Sequence, residues 1–295
     1  MRILPIAGPQ RMFASMRPPN LLPDGAMQWT DKYKQVVATR LAPIRPGQHH
    51  TLPGRLVVSV TSHRRRFHLA ALSLRSLLQQ DVAPDLLTLW VPYDDYEHLP
   101  RSVTRLQYHG LVIKQCADLG RYNATVPALE AYPHAFIVTA GDTFYYPPGW
   151  LRRLVQAYRH PREVLCRSAK WAVARDRAFA PYAAWQPLAS DGATGPHVFF
   201  SAAGGVLFPP GSLAPRVTDE DRFTRACPCN PDIWLNWMAA LAGSSVRLVA
   251  PMELMTWPDL LAGAPRCEEG EGKDDRAIAA MIHAYGHPQA ALHVA

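Results

Sequence analysis

The residues of this chain that could do chemistry are unevenly spread, and the densest group is Arg64-Arg65-Arg66, just after a short β-branched run. Three guanidinium groups in a polar turn can hold a diphosphate through fork-like, charge-assisted hydrogen bonds. Taken alone, such a run is more often a solvated helix start, although cations there oppose the helix dipole and so invite a reason. Asp142 lies in Gly141-Asp142-Thr143, a polar turn closing an apolar run, where Asp is also a common turn residue. Asp232 follows Pro231 at the head of an apolar helix, a position where Asp often caps. Trp234 could stack on a sugar ring or join the core. Gly204 and Gly205 permit close backbone approach to a ligand, or form a plain bend.

Several other chemistries are excluded or weakly supported. There is neither a G-x-x-x-x-G-K-[ST] loop nor a G-x-G-x-x-G turn after the first strand. Cys227 and Cys229 form a Cys-x-Cys without a second pair nearby, which points to structural thiols rather than zinc. His49-His50 and the i, i+4 pair His283 and His287 have no third ligand in view and are read as structural. Five cysteines without framework spacing predict a reducing compartment.

The elements that must position these residues alternate from residue 55 onward. Leu56–Val60 is a β-branched strand, and Phe67, Ala70, Ala71, Leu74, Leu77 and Leu78 mark one stripe of an amphipathic helix. Leu86–Val91, Leu111–Lys114 and Ala135–Thr139 continue the strands, each close to continuously apolar as central parallel strands are. Helices are expected over Trp150–Tyr158 and Asp232–Leu241, and a strand over Val246–Val249. In an open parallel sheet ligands gather at the carboxyl ends of the strands. Those ends carry Thr61-Ser62-His63-Arg64-Arg65-Arg66, Pro92-Tyr93-Asp94-Asp95, Asp118-Leu119-Gly120-Arg121-Tyr122 and Gly141-Asp142-Thr143.

With 295 residues, 48% hydrophobic and 19% charged, the chain can fold as one large α/β domain. The net charge of +7 is concentrated at the start: residues 1–50 hold seven Lys or Arg against Asp24 and Asp31. The rest is nearly balanced and shows no basic face with interleaved aromatics, which argues against nucleic acid as a partner. Residues 1–52, with Pro18-Pro19 among their prolines, read as an irregular basic extension whose cations can make weak peripheral contact with anionic lipid. No run is long and apolar enough to span a membrane, and Met1–Pro9 is too short for a secretory signal, which predicts a cytoplasmic protein.

Four segments in order, Ser59–Arg66, Gly141–Leu151, Gly204–Pro210 and Pro231–Trp234, resemble the GT-A glycosyltransferases related to glycosyltransferase family 2. That resemblance implies a GT-A-like, Rossmann-like, mostly parallel sheet flanked by helices over residues 53–290. Residues 53–150 would be the nucleotide-binding half and 151–290 the acceptor half. The implied activity is transfer of a sugar from a nucleoside-diphosphate donor to a glycan or lipid-linked acceptor, with inversion. The alternative is a non-catalytic binding protein of the same fold. By the same resemblance Thr61, Ser62, Arg66, Asp118, Arg121 and Asp142 hold the nucleotide sugar, Gly204, Gly205 and Trp234 meet the sugar or acceptor, and Asp232 is the base. The acidic cluster after the fourth strand would hold Mg2+ or Mn2+ through Asp142. The three aspartates of the family pattern fall here on Gly141, Asp142 and Thr143, so one carboxylate stands where three are usual. A lone Asp binds such an ion only with phosphates and waters filling the other positions. The family's lysine falls near Thr125, and either Arg121 or the 64–66 run could supply that charge.

Overall fold

The computed structural model describes residues 29–175, 178–258 and 272–288. Its frame is a seven-stranded sheet. The strands, with two from a smaller sheet numbered in sequence, are β1 (Leu56–Thr61), β2 (Leu86–Pro92), β3 (Leu111–Cys116), β4 (Phe136–Ala140), β5 (Glu163–Cys166), β6 (Ala169–Trp171), β7 (Val198–Phe200), β8 (Val206–Phe208) and β9 (Ser245–Leu248). The helices used below are α1 (Trp29–Leu41), α2 (Phe67–Leu78), α3 (Val126–Ala131), α4 (Trp150–Ala157), α5 (Glu220–Ala226), α6 (Pro231–Leu241) and α7 (Lys273–Tyr285).

The order across the large sheet is β9-β5-β8-β4-β1-β2-β3. Every neighbouring pair is parallel except those made by β8, which runs against both β4 and β5. The mostly parallel α/β sheet flanked by helices is thus the observed fold. Strands β5, β8 and β9 come from beyond residue 150 and complete the same sheet, so the two expected halves share one frame. Strands β6 and β7 pair antiparallel beside Gln186–Pro187 in the separate small sheet.

Both faces of the large sheet are covered, which is why its strands lack polar alternation. Val57 and Ile137 point to the face packed by Trp234, Trp237 and Met238 of α6 and by Met281 of α7. Leu56, Val58, Val60, Phe136 and Val138 point to the other, packed by Leu74 of α2 and by Trp150 and Leu154 of α4.

Part of the expected irregular extension is folded. Residues 29–41 form helix α1, which corrects the reading of residues 1–52 as wholly irregular; residues 1–28 lie outside the described ones. Helix α2 has a second apolar edge, Leu69 and Leu72, packed with Trp257 and Val36 of α1. Arg75 donates to the carbonyls of Thr39 (2.7 Å) and Ala42 (2.8 Å), capping the carboxyl end of α1. Cys227 is a free buried thiol, whereas Cys229 is disulfide-bonded, which corrects the reading of both as thiols. A disulfide is uncommon in a reducing cytoplasm.

Candidate functional site

The register β1 to β4, with Val60 opposite Ala140, sets the turn after β1 beside the turn after β4 at the carboxyl edge. Thr61 donates its hydroxyl to the Trp90 carbonyl (3.1 Å), and the Ser62 amide bonds the same oxygen (3.3 Å). These bonds aim Ser62 inward, where its hydroxyl donates to Asp142 Oδ2 at 2.8 Å. Arg66, at the mouth of α2, brings Nη1 to 3.6 Å from Asp142 Oδ1. Asp142 is buried, 7% exposed. Burial raises its carboxyl pKa, and Arg66, the Ser62 hydroxyl and His63 draw it back. Burial likewise lowers His63, with Asp142 opposing. Arg64 is turned to the rim: its amide donates to Asp95 (3.0 Å) and its Nη1 to His98 (3.2 Å).

The loop holding Asp142 is tightly tied. The Gly141 amide donates to the Tyr146 hydroxyl (2.6 Å), which donates back to the Gly141 carbonyl (3.2 Å). Beyond it, Trp257 donates to the Thr143 carbonyl (2.9 Å), Tyr145 to the Met255 carbonyl (2.8 Å), and Phe144 bridges Thr256.

Asp232 reaches the same edge from the other side. Val206, the first residue of reversed strand β8, lies opposite Thr139 near the end of β4, so the turn before β8 belongs to this edge. In that turn the Ala202 amide donates to Asp232 Oδ2 at 3.1 Å. Asp232 does not cap α6. That task falls to Asn230, whose side-chain oxygen accepts from the Asp232 amide (3.1 Å). Burial raises the Asp232 pKa, partly offset by the Ala202 amide, the Ser201 hydroxyl and the charge of Arg121. A cleft of ≈ 10 Å³, room for about one water, opens on Asp232 and is lined also by Lys170, Tyr182 and Ser201. Lys170 Nζ sits 4.0 Å over the Tyr182 ring. Burial and the Asp232 charge push the Tyr182 phenol up to about 12. A larger cleft of ≈ 650 Å³ lies between Ala178–Pro181 and the Ile278, Ile282 and His283 side of α7.

The two candidate arginines therefore part company: Arg66 serves Asp142, while Arg121 acts on Asp232. Asp118 is exposed and turns its carboxylate on its own loop, accepting from the Gly120 amide (3.0 Å). Neighbouring Tyr122 anchors that loop, stacking on Phe223 and donating to the Cys227 carbonyl (2.8 Å).

Two expectations change. Trp234 has no exposed surface, and its indole N–H is held by the Val217 carbonyl (2.9 Å), so it packs in the core and offers no face to a sugar. The close approach at Gly205 is to Trp150, 2.3 Å from a Cβ placed there, and that at Gly204 is to Arg167 and Ser168, 2.9 Å away, while Trp150 Nε1 donates to the Gly204 carbonyl (2.8 Å). Lys170, Tyr182 and Ser201 had no sequence signal. Short strand β6 and an irregular loop carry the first two, and only the docking of β7 on α6 through Asn236 gathers them around Asp232.

Among the described residues no group of three or more His, Cys, Asp and Glu side chains gathers to hold a metal ion. The one carboxylate in the expected place has one oxygen on Ser62 and the other toward Arg66. As arranged, this donor set does not fit a divalent cation, which needs several free oxygens.

Fold and site together define a Rossmann-like α/β protein whose carboxyl edge joins arginines to two environmentally distinct carboxylates. No known family profile matches the chain, and no curated protein is similar to it. Among solved structures it is similar to a mannosyltransferase from Pyrobaculum calidifontis in complex with GDP-Man and Mn2+, at 14% identity over 90% of this chain and 80% of that one, TM-score 0.45. It is also similar to the inositol-1-phosphate CTP transferase from T. maritima, at 9% identity over 78% of this chain and 98% of that one, TM-score 0.40.

Proposed function

We propose that this chain is a glycosyltransferase that moves a sugar from a nucleoside-diphosphate donor to a hydroxyl of a glycan or lipid-linked acceptor, with inversion. The observation that supports the reading is that the turn carrying Asp142 and the turn bonded to Asp232 border one sheet edge, with the two carboxylates in different surroundings. Asp142 is tied to Ser62 and Arg66, whereas Asp232 is freed from helix capping by Asn230. On this reading Thr61, Ser62 and Arg66 meet the diphosphate, with Asp142 behind Arg66 positioning its guanidinium, and Asp118 and Arg121 meet the nucleoside side. Asp232 takes the proton from the acceptor hydroxyl as its oxygen bonds the anomeric carbon and the nucleoside diphosphate departs with the bonding pair. A carboxylate with its pKa raised by burial is a stronger base than an exposed one, which suits that task.

A second reading is a non-catalytic binding protein of the same architecture. The internal pairing of Asp142 favours it, because a carboxylate already engaged is less available to a substrate. No described helix is long and apolar enough to cross a membrane, so either acceptor type would be met from outside the bilayer core.

The test is donor consumption across a panel of nucleotide sugars, with Asp232→Asn and Asp142→Asn beside the unaltered chain. Turnover lost in Asp232→Asn and sharply reduced in Asp142→Asn supports the enzyme. Equal turnover in all three removes the mechanism, and calorimetric binding without turnover favours the second reading.

A further inference from the structure

We infer that the diphosphate edge works without a divalent cation, the Arg66 guanidinium supplying the charge such an ion would bring, so that its ligand is a metal-free nucleoside diphosphate. This rests on the glycosyltransferase reading above and specifies how that site holds its donor.

Four observations carry it. First, both oxygens of Asp142 face donors: its side chain is 9% exposed, with the Ser62 hydroxyl bonded to Oδ2 and the Arg66 guanidinium 3.6 Å from Oδ1. A cation arriving there would have to displace the guanidinium or share the carboxylate with it against like-charge repulsion. Second, the neighbouring position cannot contribute a carboxylate. A Cβ on Gly141 would lie 2.9 Å from the Phe144 ring, and both its amide and its carbonyl are held by the buried Tyr146 hydroxyl. Third, the loop has little freedom to re-form around an ion, since residues 143–145 are sewn to 255–257 by the two backbone bonds of an antiparallel bridge. Fourth, Arg66 is built to act outward. Its side chain is 30% exposed and its contact with Asp142, at 3.6 Å, exceeds hydrogen-bond length. A guanidinium has five N–H donors in a planar fork that matches phosphate oxygens. Asp142 then works as a positioning residue, holding the fork at the edge and releasing it to an incoming anion.

The test measures binding of UDP, GDP, CDP, ADP and inorganic pyrophosphate to the full chain by calorimetry, once in EDTA and once in millimolar Mn2+. The expected result is binding of at least one nucleoside diphosphate in EDTA, changed less than about threefold by Mn2+. In Arg66→Ala that affinity should fall about tenfold to a hundredfold, the range for losing a hydrogen bond to a charged group. Arg66→Lys, which keeps the charge and loses the fork, should fall between; it serves if the alanine variant does not fold. Binding seen only with Mn2+, or undiminished in both variants in EDTA, overturns the inference and leaves the glycosyltransferase reading standing. No binding of any probe in either condition overturns both.

Discussion

Replacing Gly205 by alanine tests whether the Gly-Gly turn is held by Trp150. Gly205 has φ 96° and ψ 140°, a region essentially reserved for glycine, which costs another residue about 1–3 kcal/mol. The new Cβ would stand 2.3 Å from Trp150 Cζ2 and 3.0 Å from Cε2, where carbons prefer about 3.5–4.0 Å. The ring has little room to retreat: Trp150 is 1% exposed, Tyr146 meets it edge-on at 4.5 Å, and its N–H is fixed on Gly204. Overpacking of this kind costs about 1–3 kcal/mol. The sum, about 2–6 kcal/mol, lowers the thermal midpoint by roughly 4–24 °C at about 2–4 °C per kcal/mol for a domain near this size. Thermal unfolding followed by circular dichroism measures it. The cause is isolated by pairing Gly205→Ala with Trp150→Phe, which removes the crowded ring atoms; the double variant should lose less than the two singles added, by about 0.5–3 kcal/mol. A midpoint within about 1 °C of the unaltered chain, or strict additivity, would refute the reasoning.

Four further outcomes are expected. Burial raises the Asp232 carboxyl, so kcat/KM for donor consumption should fall on acidification through a pKa above the usual 3.8; Asp232→Asn should lose about 10²–10⁴-fold and that pH limb. The same shift fixes the sign for stability: the folded state holds this proton where the unfolded chain has released it, so ionisation costs stability as pH rises. Asp232→Asn should therefore gain stability relative to the unaltered chain more at pH 8 than at pH 4, in urea titrations at both. Ser62→Ala removes the hydroxyl donor to buried Asp142 and should cost about 1–3 kcal/mol where the carboxyl is ionised, with a smaller loss in acid where it holds its proton; an equal loss at pH 4 and pH 8 would count against the bond. Arg75→Ala frees the carboxyl end of α1, and limited proteolysis should then cut within residues 29–45 well before the rest of the chain.

How much of this was legible beforehand follows from the range of the forces involved. The strands read over Leu56–Val60 and Ala135–Thr139 and the helices read over Phe67–Leu78 and Asp232–Leu241 lie within a residue of those observed, because buried parallel strands and one-sided helices write their environment into apolar spacing over a few residues. The carboxyl-edge rule then marked the segments Thr61–Arg66 and Gly141–Thr143 without coordinates, since it depends only on strand order and chain direction, and the family resemblance singled out Ser62, Arg66 and Asp142 within them. Three-residue β8 was hidden, as so short a run has no measurable period, and its reversed direction depends on partners far along the chain. Helix α1 was missed for a related reason: its partners Leu69 and Leu72 lie on the face of α2 that reads as a solvated side until α1 covers it.

Residue type and local spacing alone determined that this chain builds a parallel-sheet edge crowned with arginines and isolated aspartates. Tertiary structure alone decided what those groups do to one another. Which arginine meets which carboxylate, and that Trp234 and the Gly204-Gly205 turn serve packing, are matters of pairing between segments distant in the chain. Pairing of that kind is set by register and packing across the fold, and it leaves no trace in the order of neighbouring residues.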